Sequence, residues 1–197
     1  MIPWGEFGGY VPTSQGMPGW NAFVANEPVT EVLHNNATLG SPVVRILGPD
    51  WPYGVSGRIE GRFTASLWAM FDPGSSAAIS QTGLVPADSR WLLFKGRAYA
   101  APSAPPGIFT VSLDGQTVPV SVLATYADYS LYGGEISGFA GREVELRFTV
   151  PGGYAGTLQL DSIEFSPVPE PGTLAPVGLG LLAAAWLRGI RPRRPLV

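Results

Sequence analysis

The chain of 197 residues has no cysteine and a single histidine, His34. The first absence excludes disulfides, thiolate metal sites and a cysteine nucleophile. The second leaves little ligand chemistry for a transition metal. A Ser–His–Asp triad would have to use His34, and no Gly-x-Ser-x-Gly elbow accompanies it. His34-Asn35-Asn36 is a turn-like run, so a turn or surface position is expected for the histidine. Charge is also scarce, at 14% of residues, where about 25% is usual. Residues 1–168 hold eight basic side chains against fourteen acidic ones. Such a body lacks the basic footprint that nucleic-acid binding needs. The opening run Met1-Ile2-Pro3-Trp4-Gly5-Glu6-Phe7 has neither the basic n-region nor the apolar h-region of a signal peptide. Export would therefore require a leader upstream of Met1 or one left out of this chain.

Aromatic residues are present at 11%, enough to build a core and to argue against disorder. No helical period appears before residue 172, and the body reads as strands separated by Gly, Pro, Asp and Asn. From Ile59 to Phe71 the residues Ile59, Phe63, Ala65, Leu67, Ala69 and Phe71 share one face, and Glu60, Arg62, Thr64 and Ser66 share the other. Trp91-Leu92-Leu93-Phe94 reads as a strand buried on both faces. Phe109 to Leu113, the turn Asp114-Gly115 and Val118 to Val122 predict a hairpin, because the tight turn needs positive φ. Glu143 to Val150 alternates without a break, Leu158 to Phe165 forms the final strand, and Val43 to Leu47 is a further candidate. Six to nine strands are expected, arranged as an all-β, antiparallel β-sandwich over residues 1–165. Trp68 and Trp91 are expected inside it.

Residues 166–172 form a short Pro-rich linker. Thr173 to Leu187 carries no charge. About 15 residues of helix span roughly 22 Å, short of a ~30 Å hydrocarbon core, and extension to Ile190 with Arg188 snorkelling brings the helix near the lower limit. A core helix would need an amphipathic stripe, and this run is apolar all round. A transmembrane helix is expected over 173–190, with 191–197 as a basic cytoplasmic tail.

Val168-Pro169-Glu170-Pro171, the apolar run and Arg188, Arg191, Arg193 and Arg194 together resemble the PEP-CTERM sorting signal of Gram-negative bacteria. The resemblance covers about the last 30 residues. It implies export, retention in the inner membrane, recognition of Pro169, Glu170 and Pro171 by an exosortase-type peptidase, and delivery to the cell surface or extracellular matrix and biofilm. The body is similar to the jelly-roll, galactose-binding-like domains that often precede this signal. The similarity rests on Ala78–Pro86, Trp91–Lys95, Val111–Gln116 and Tyr129–Gly141 in that order. It implies a carbohydrate-binding module and a structural calcium on the final strand, where Asp161 stands, with Glu6 as candidate partner. Oxygen ligands suit Ca²⁺; a strand-end Asp bonded to local backbone is the competing reading. No other cofactor is expected.

Exposed aromatic faces would carry sugar binding, and Trp51, Tyr53, Tyr129 and Tyr132 are the candidates, being in loop-like sequence. Large aromatics filling the interior is the alternative. Glu143 and Glu145 share a face and could in principle act as paired carboxylates, yet Arg147 continues their row, which reads as a solvent face. The expectation is a non-enzymatic, exported, membrane-anchored surface or matrix protein. Its partners would be the membrane, an exosortase-type peptidase and polysaccharide, and not nucleic acid. A carbohydrate-binding module is the alternative, and a glycoside hydrolase the least favoured.

Overall fold

The computed structural model describes residues 9–37, 40–52, 57–102, 104 and 107–168. They form strands β1 (Tyr10–Pro12), β2 (Asn21–Val24), β3 (Glu27–Val29), β4 (Glu31–His34), β5 (Val43–Leu47), β6 (Thr64–Ala69) and β7 (Ala77–Leu84). Beyond these lie β8 (Trp91–Ala100), β9 (Thr110–Leu113), β10 (Gln116–Val118), β11 (Val120–Thr125), β12 (Ser130–Glu135), β13 (Glu143–Val150) and β14 (Gly156–Ser166). Helix among the described residues is limited to one turn at Thr13–Gly16 and a 3-10 turn at Ser137–Phe139. An eight-stranded sheet runs β1-β4-β5-β6-β14-β8-β12-β11, and a six-stranded sheet runs β10-β9-β13-β7-β2-β3.

The two sheets close on one core. Strand β13 alternates buried Val144, Leu146, Phe148 and Val150 with outward Glu143, Glu145, Arg147 and Thr149, as its sequence predicts. Phe148 meets Phe94 of the opposite sheet edge to face at 5.1 Å. Tyr132 stacks on Phe94 with nearly parallel planes, also at 5.1 Å. Ring contacts of this kind add to the large apolar area that each ring buries. The β9–β10 turn follows its sequence, with Asp114 and Gly115 at φ 47° and 74°, the positive values that a two-residue turn needs, but the returning strand is Gln116–Val118 rather than Val118 to Val122, since Val120–Thr125 crosses to the eight-stranded sheet.

Four other expectations are corrected. The sandwich is not wholly antiparallel, because β4 and β5 pair in parallel through Leu33–Arg45 and His34–Ile46. Asn35 stabilises this junction: its amide oxygen accepts the Gly48 N–H at 2.6 Å and its own N–H donates to the Ile46 carbonyl. His34 is not at the surface but 3% exposed. It ends β4 edge-on to Phe63, and burial lowers its pKa, opposed by the charge of Asp50. The strand expected from Ile59 begins only at Thr64, since Gly61 at φ 58° breaks the extended run. Trp68 lies on the outer face of its sheet rather than inside, because Leu67 beside it takes the inward position.

The tail 169–197, with its expected transmembrane helix, lies outside the described residues. Among the described residues no helix is long and apolar enough to cross a membrane.

Candidate carbohydrate-binding face

The outer face of the eight-stranded sheet collects polar and aromatic side chains that the sequence scatters over more than a hundred residues. Arg45, Ser66, Gln159 and Arg97 stand opposite one another across β5, β6, β14 and β8. One step along the strands, Leu47, Thr64, Asp161 and Lys95 form a parallel row, and on the other side lie Val43, Trp68, Thr157 and Tyr99. The inward neighbours Ile46, Leu67, Leu158, Leu160 and Phe94 belong to the core. The alternation of a pleated strand therefore builds both the interior and this face from the same segments.

Hydrogen bonds fix the first row. Arg97 donates Nη1 to Gln159 Oε1 at 2.9 Å and Nε to the Asp128 carbonyl at 2.5 Å. Arg45 donates Nε to Ser66 Oγ at 3.1 Å, and its guanidinium lies 5.2 and 5.4 Å from the ring centres of Trp51 and Trp68. Ser66 and Gln159 are buried although they point away from the core. Trp51 also walls a recess of about 390 Å³ shared with Gly57, Arg58 and Glu60.

In the second row, Asp161 holds the loop before β6. Its Oδ2 accepts from Thr64 Oγ1 at 2.6 Å and from the Glu60 N–H at 3.2 Å, and its Oδ1 accepts from the Ser162 N–H at 2.8 Å. Among the described residues no cluster of three acidic or histidine side chains could hold a metal ion. Glu6, named as a calcium partner, lies outside the described residues. Glu60 forms a salt bridge with Lys95 at 2.7 Å and accepts from the Ser162 hydroxyl. The hydrogen bonds from Lys95 and Ser162 hold the Glu60 carboxyl below its ordinary pKa.

Beyond the end of β12, Tyr99, Tyr126 and Tyr129 surround a recess of about 260 Å³ with Arg97 in its wall. Tyr126 and Tyr129 stack at 4.8 Å, with planes 29° apart. Lys95 Nζ lies 5.4 Å from the Tyr129 ring centre. Tyr126 is 51% exposed and Tyr99 46%. Residues 126–129 are held by the Tyr126 N–H donating to the Tyr129 carbonyl and by Arg97 on the Asp128 carbonyl.

Two of the four candidate aromatics, Tyr129 and Tyr132, come together at the tyrosine recess, and Trp51 stands apart from it. Tyr129 and Tyr132 both line the recess, Tyr132 with its ring stacked on Phe94, while Trp51 is on Arg45 and Tyr53 lies outside the described residues. Glu143 and Glu145 lie on the six-stranded sheet, away from this face. The sorting residues Pro169, Glu170, Pro171, Arg188, Arg191, Arg193 and Arg194 lie outside the described residues. Sequence reasoning missed Tyr99, Arg97 and Lys95, although a signal existed. Ending the strand at Phe94 hid the alternation of Lys95, Arg97 and Tyr99 with Gly96 and Ala98. Arg45 was passed over inside the apolar run VVRIL.

A larger cleft of about 590 Å³ opens between the sheets beside the β14 bulge, lined by Met17, Trp20, Ile163 and Phe165 among others. Trp20 turns its ring to Phe148 at 6.4 Å, so its face is used in packing.

Two solved structures are similar in outline. The enzymatically active domain of bacteriophage CBA120 tailspike protein 4 shares 11% identity and a TM-score of 0.42 over 79% of this chain. This chain spans 20% of that tailspike chain. The carbohydrate-binding module TmCBM61, solved with β-1,4-galactotriose, shares 12% identity and a TM-score of 0.41, over 79% of this chain and 93% of its own. At these TM-scores neither likeness assigns a fold family or a ligand. No family model matches the chain, and no curated protein matches it.

Proposed function

We propose that this chain is a non-enzymatic carbohydrate-binding protein that uses the outer face of its eight-stranded sheet. The observation that carries the reading is the tyrosine recess. Two stacked rings and a third exposed ring surround a guanidinium whose donors are already oriented by neutral oxygens. Sugar rings present apolar C–H faces and a rim of hydroxyls. Aromatic faces take the first, and fixed donors and acceptors take the second. Holding the rings in place before binding spares the ordering entropy that flexible side chains would lose.

A hydrolytic role finds no support on this face. A glycosidase needs one carboxyl raised enough to donate a proton. Glu60 is shifted the other way by Lys95 and Ser162, and both oxygens of Asp161 accept backbone or hydroxyl protons.

The 197-residue chain should bind at least one polysaccharide in affinity electrophoresis or isothermal titration against a panel of neutral and acidic polymers. Tyr126→Ala and Tyr129→Ala should each weaken that binding about tenfold, equivalent to about 1.4 kcal/mol. Binding to no polymer, or wild-type affinity in both variants, overturns the reading.

The C-terminal resemblance supplies a location for this activity. In our reading the chain is an exported bacterial protein, held briefly in the inner membrane and released to the surface matrix when an exosortase-type peptidase acts at Pro169-Glu170-Pro171. Glu170→Ala, expressed in a host with such a peptidase, should keep its tail by intact-mass measurement. Normal trimming of that variant removes the proposal.

A further inference from the structure

We infer that the face recognises an acidic polysaccharide, and that Arg45 binds the carboxylate of a uronic acid residue. The inference rests on the carbohydrate-binding reading and adds the class of sugar.

Arg45 is 8% exposed on the outer face of β5. Burying a charge without a partner is costly, and folded proteins usually provide a carboxylate. None is provided among the described residues. Among the described residues, ion pairs join Lys95 to Glu60 and Arg142 to Asp114, and neither involves Arg45. Among the described residues its only hydrogen bond is from Nε to the neutral Ser66 hydroxyl. Among the described residues Nη1 and Nη2 have no hydrogen-bond partner, and they are not among the fully enclosed polar atoms. Desolvation depresses the pKa of the group, which nevertheless stays charged because arginine starts so high.

The remaining contacts orient the group without neutralising it. Trp51 and Trp68 hold the guanidinium by cation–π attraction. Ser66 occupies Nε, which leaves the two terminal nitrogens together at the distal edge. That edge presents parallel N–H donors that match the two oxygens of a planar carboxylate.

Arg97 repeats the arrangement in the same row. Its partners are also neutral oxygens, those of Gln159, Asp128 and Gly57, and it forms no ion pair among the described residues. Three strand spacings separate the two arginines, roughly 14 Å across the sheet. Two guanidiniums that form no ion pair among the described residues stand on one face, bordered by Trp51 and Trp68 at one end and the tyrosine recess at the other. An extended chain carrying repeated carboxylates and apolar ring faces fits this pattern. Sulfate esters share the charge but not the planar geometry.

The test compares polygalacturonate with its carboxyl-reduced form, using the 197-residue chain. Carboxyl reduction should lower affinity at least tenfold, and Arg45→Met should lower affinity for polygalacturonate alone by a similar factor. Arg45→Lys retains charge and stem but not the fork, and should recover only part of the loss. The ligand-side comparison does not depend on any variant folding. Equal affinity for native and reduced polymer overturns the inference while leaving carbohydrate binding intact. Binding to no polymer overturns both. Dextran sulfate binding as tightly as polygalacturonate overturns the carboxylate assignment. Poly-glutamate binding that Arg45→Met abolishes, without any polygalacturonate binding, makes the occupant a protein and overturns it as well.

Discussion

Thr64→Val replaces a buried hydroxyl with a methyl group of nearly the same shape. Thr64 is 1% exposed, so its packing is kept and the change isolates hydrogen bonding. The hydroxyl donates to Asp161 Oδ2 at 2.6 Å and accepts from the Ile59 N–H at 2.8 Å. A hydrogen bond to a charged acceptor contributes about 1.5–3 kcal/mol. Asp161 keeps the Glu60 and Ser162 N–H groups, which limits the loss on its side. The Ile59 N–H has water within reach because its segment is partly exposed, so its loss adds little. The expected destabilisation is about 2–3 kcal/mol. For a domain of this size that corresponds to a Tm lower by roughly 4–12 °C. Urea unfolding of Thr64→Val, Asp161→Ala and the double variant gives a cycle whose coupling should be about 1–2 kcal/mol. Thr64→Ser, which retains the hydroxyl, should lose much less than Thr64→Val. If Thr64→Val unfolds within about 0.5 kcal/mol of the wild type, Asp161 does not anchor the loop that carries Glu60.

Gly152→Ala should be far more severe than an ordinary surface change. A Cβ there would collide with the Asp72 carbonyl oxygen and sit 2.7 Å from that of Pro73, both backbone atoms that cannot swing aside. Loss of soluble protein, or a destabilisation above about 3 kcal/mol, is expected, and wild-type melting would refute the contact. His34 gives a pH dependence. Burial lowers its folded pKa below the unfolded value, so the unfolded chain binds the proton more strongly. Its contribution to stability is therefore complete above about pH 6.5 and is lost as pH falls through that value. Urea midpoints on either side should show a smaller drop for His34→Gln than for the wild type. An unchanged drop would assign the acid sensitivity to the carboxylates.

The periodicity of the chain determined most of the secondary structure. Strand β13 and the turn at Asp114-Gly115 are where alternation and turn chemistry place them. In both, the signal is local, within a few residues. The resemblance of the tail to a sorting signal rests on local sequence too, but residues 169–197 lie outside the described residues. What depended on distant partners could not be read in this way. The loop at Gly61 stays out of β6 because Asp161, about a hundred residues on, takes its donors. His34 is buried because Phe63 closes over a segment that looks like a turn in isolation. Trp68 and Arg45 come together only because β5 and β6 are neighbours, with Arg45 opposite Ser66 and Val43 opposite Trp68. The tyrosine recess needs β8 to outrun β12, so that residues 126–129 fold back beside Arg97. Alternation says which side chains share a face of one strand. Only the strand order says which of those faces meet, and the candidate binding surface exists at that level.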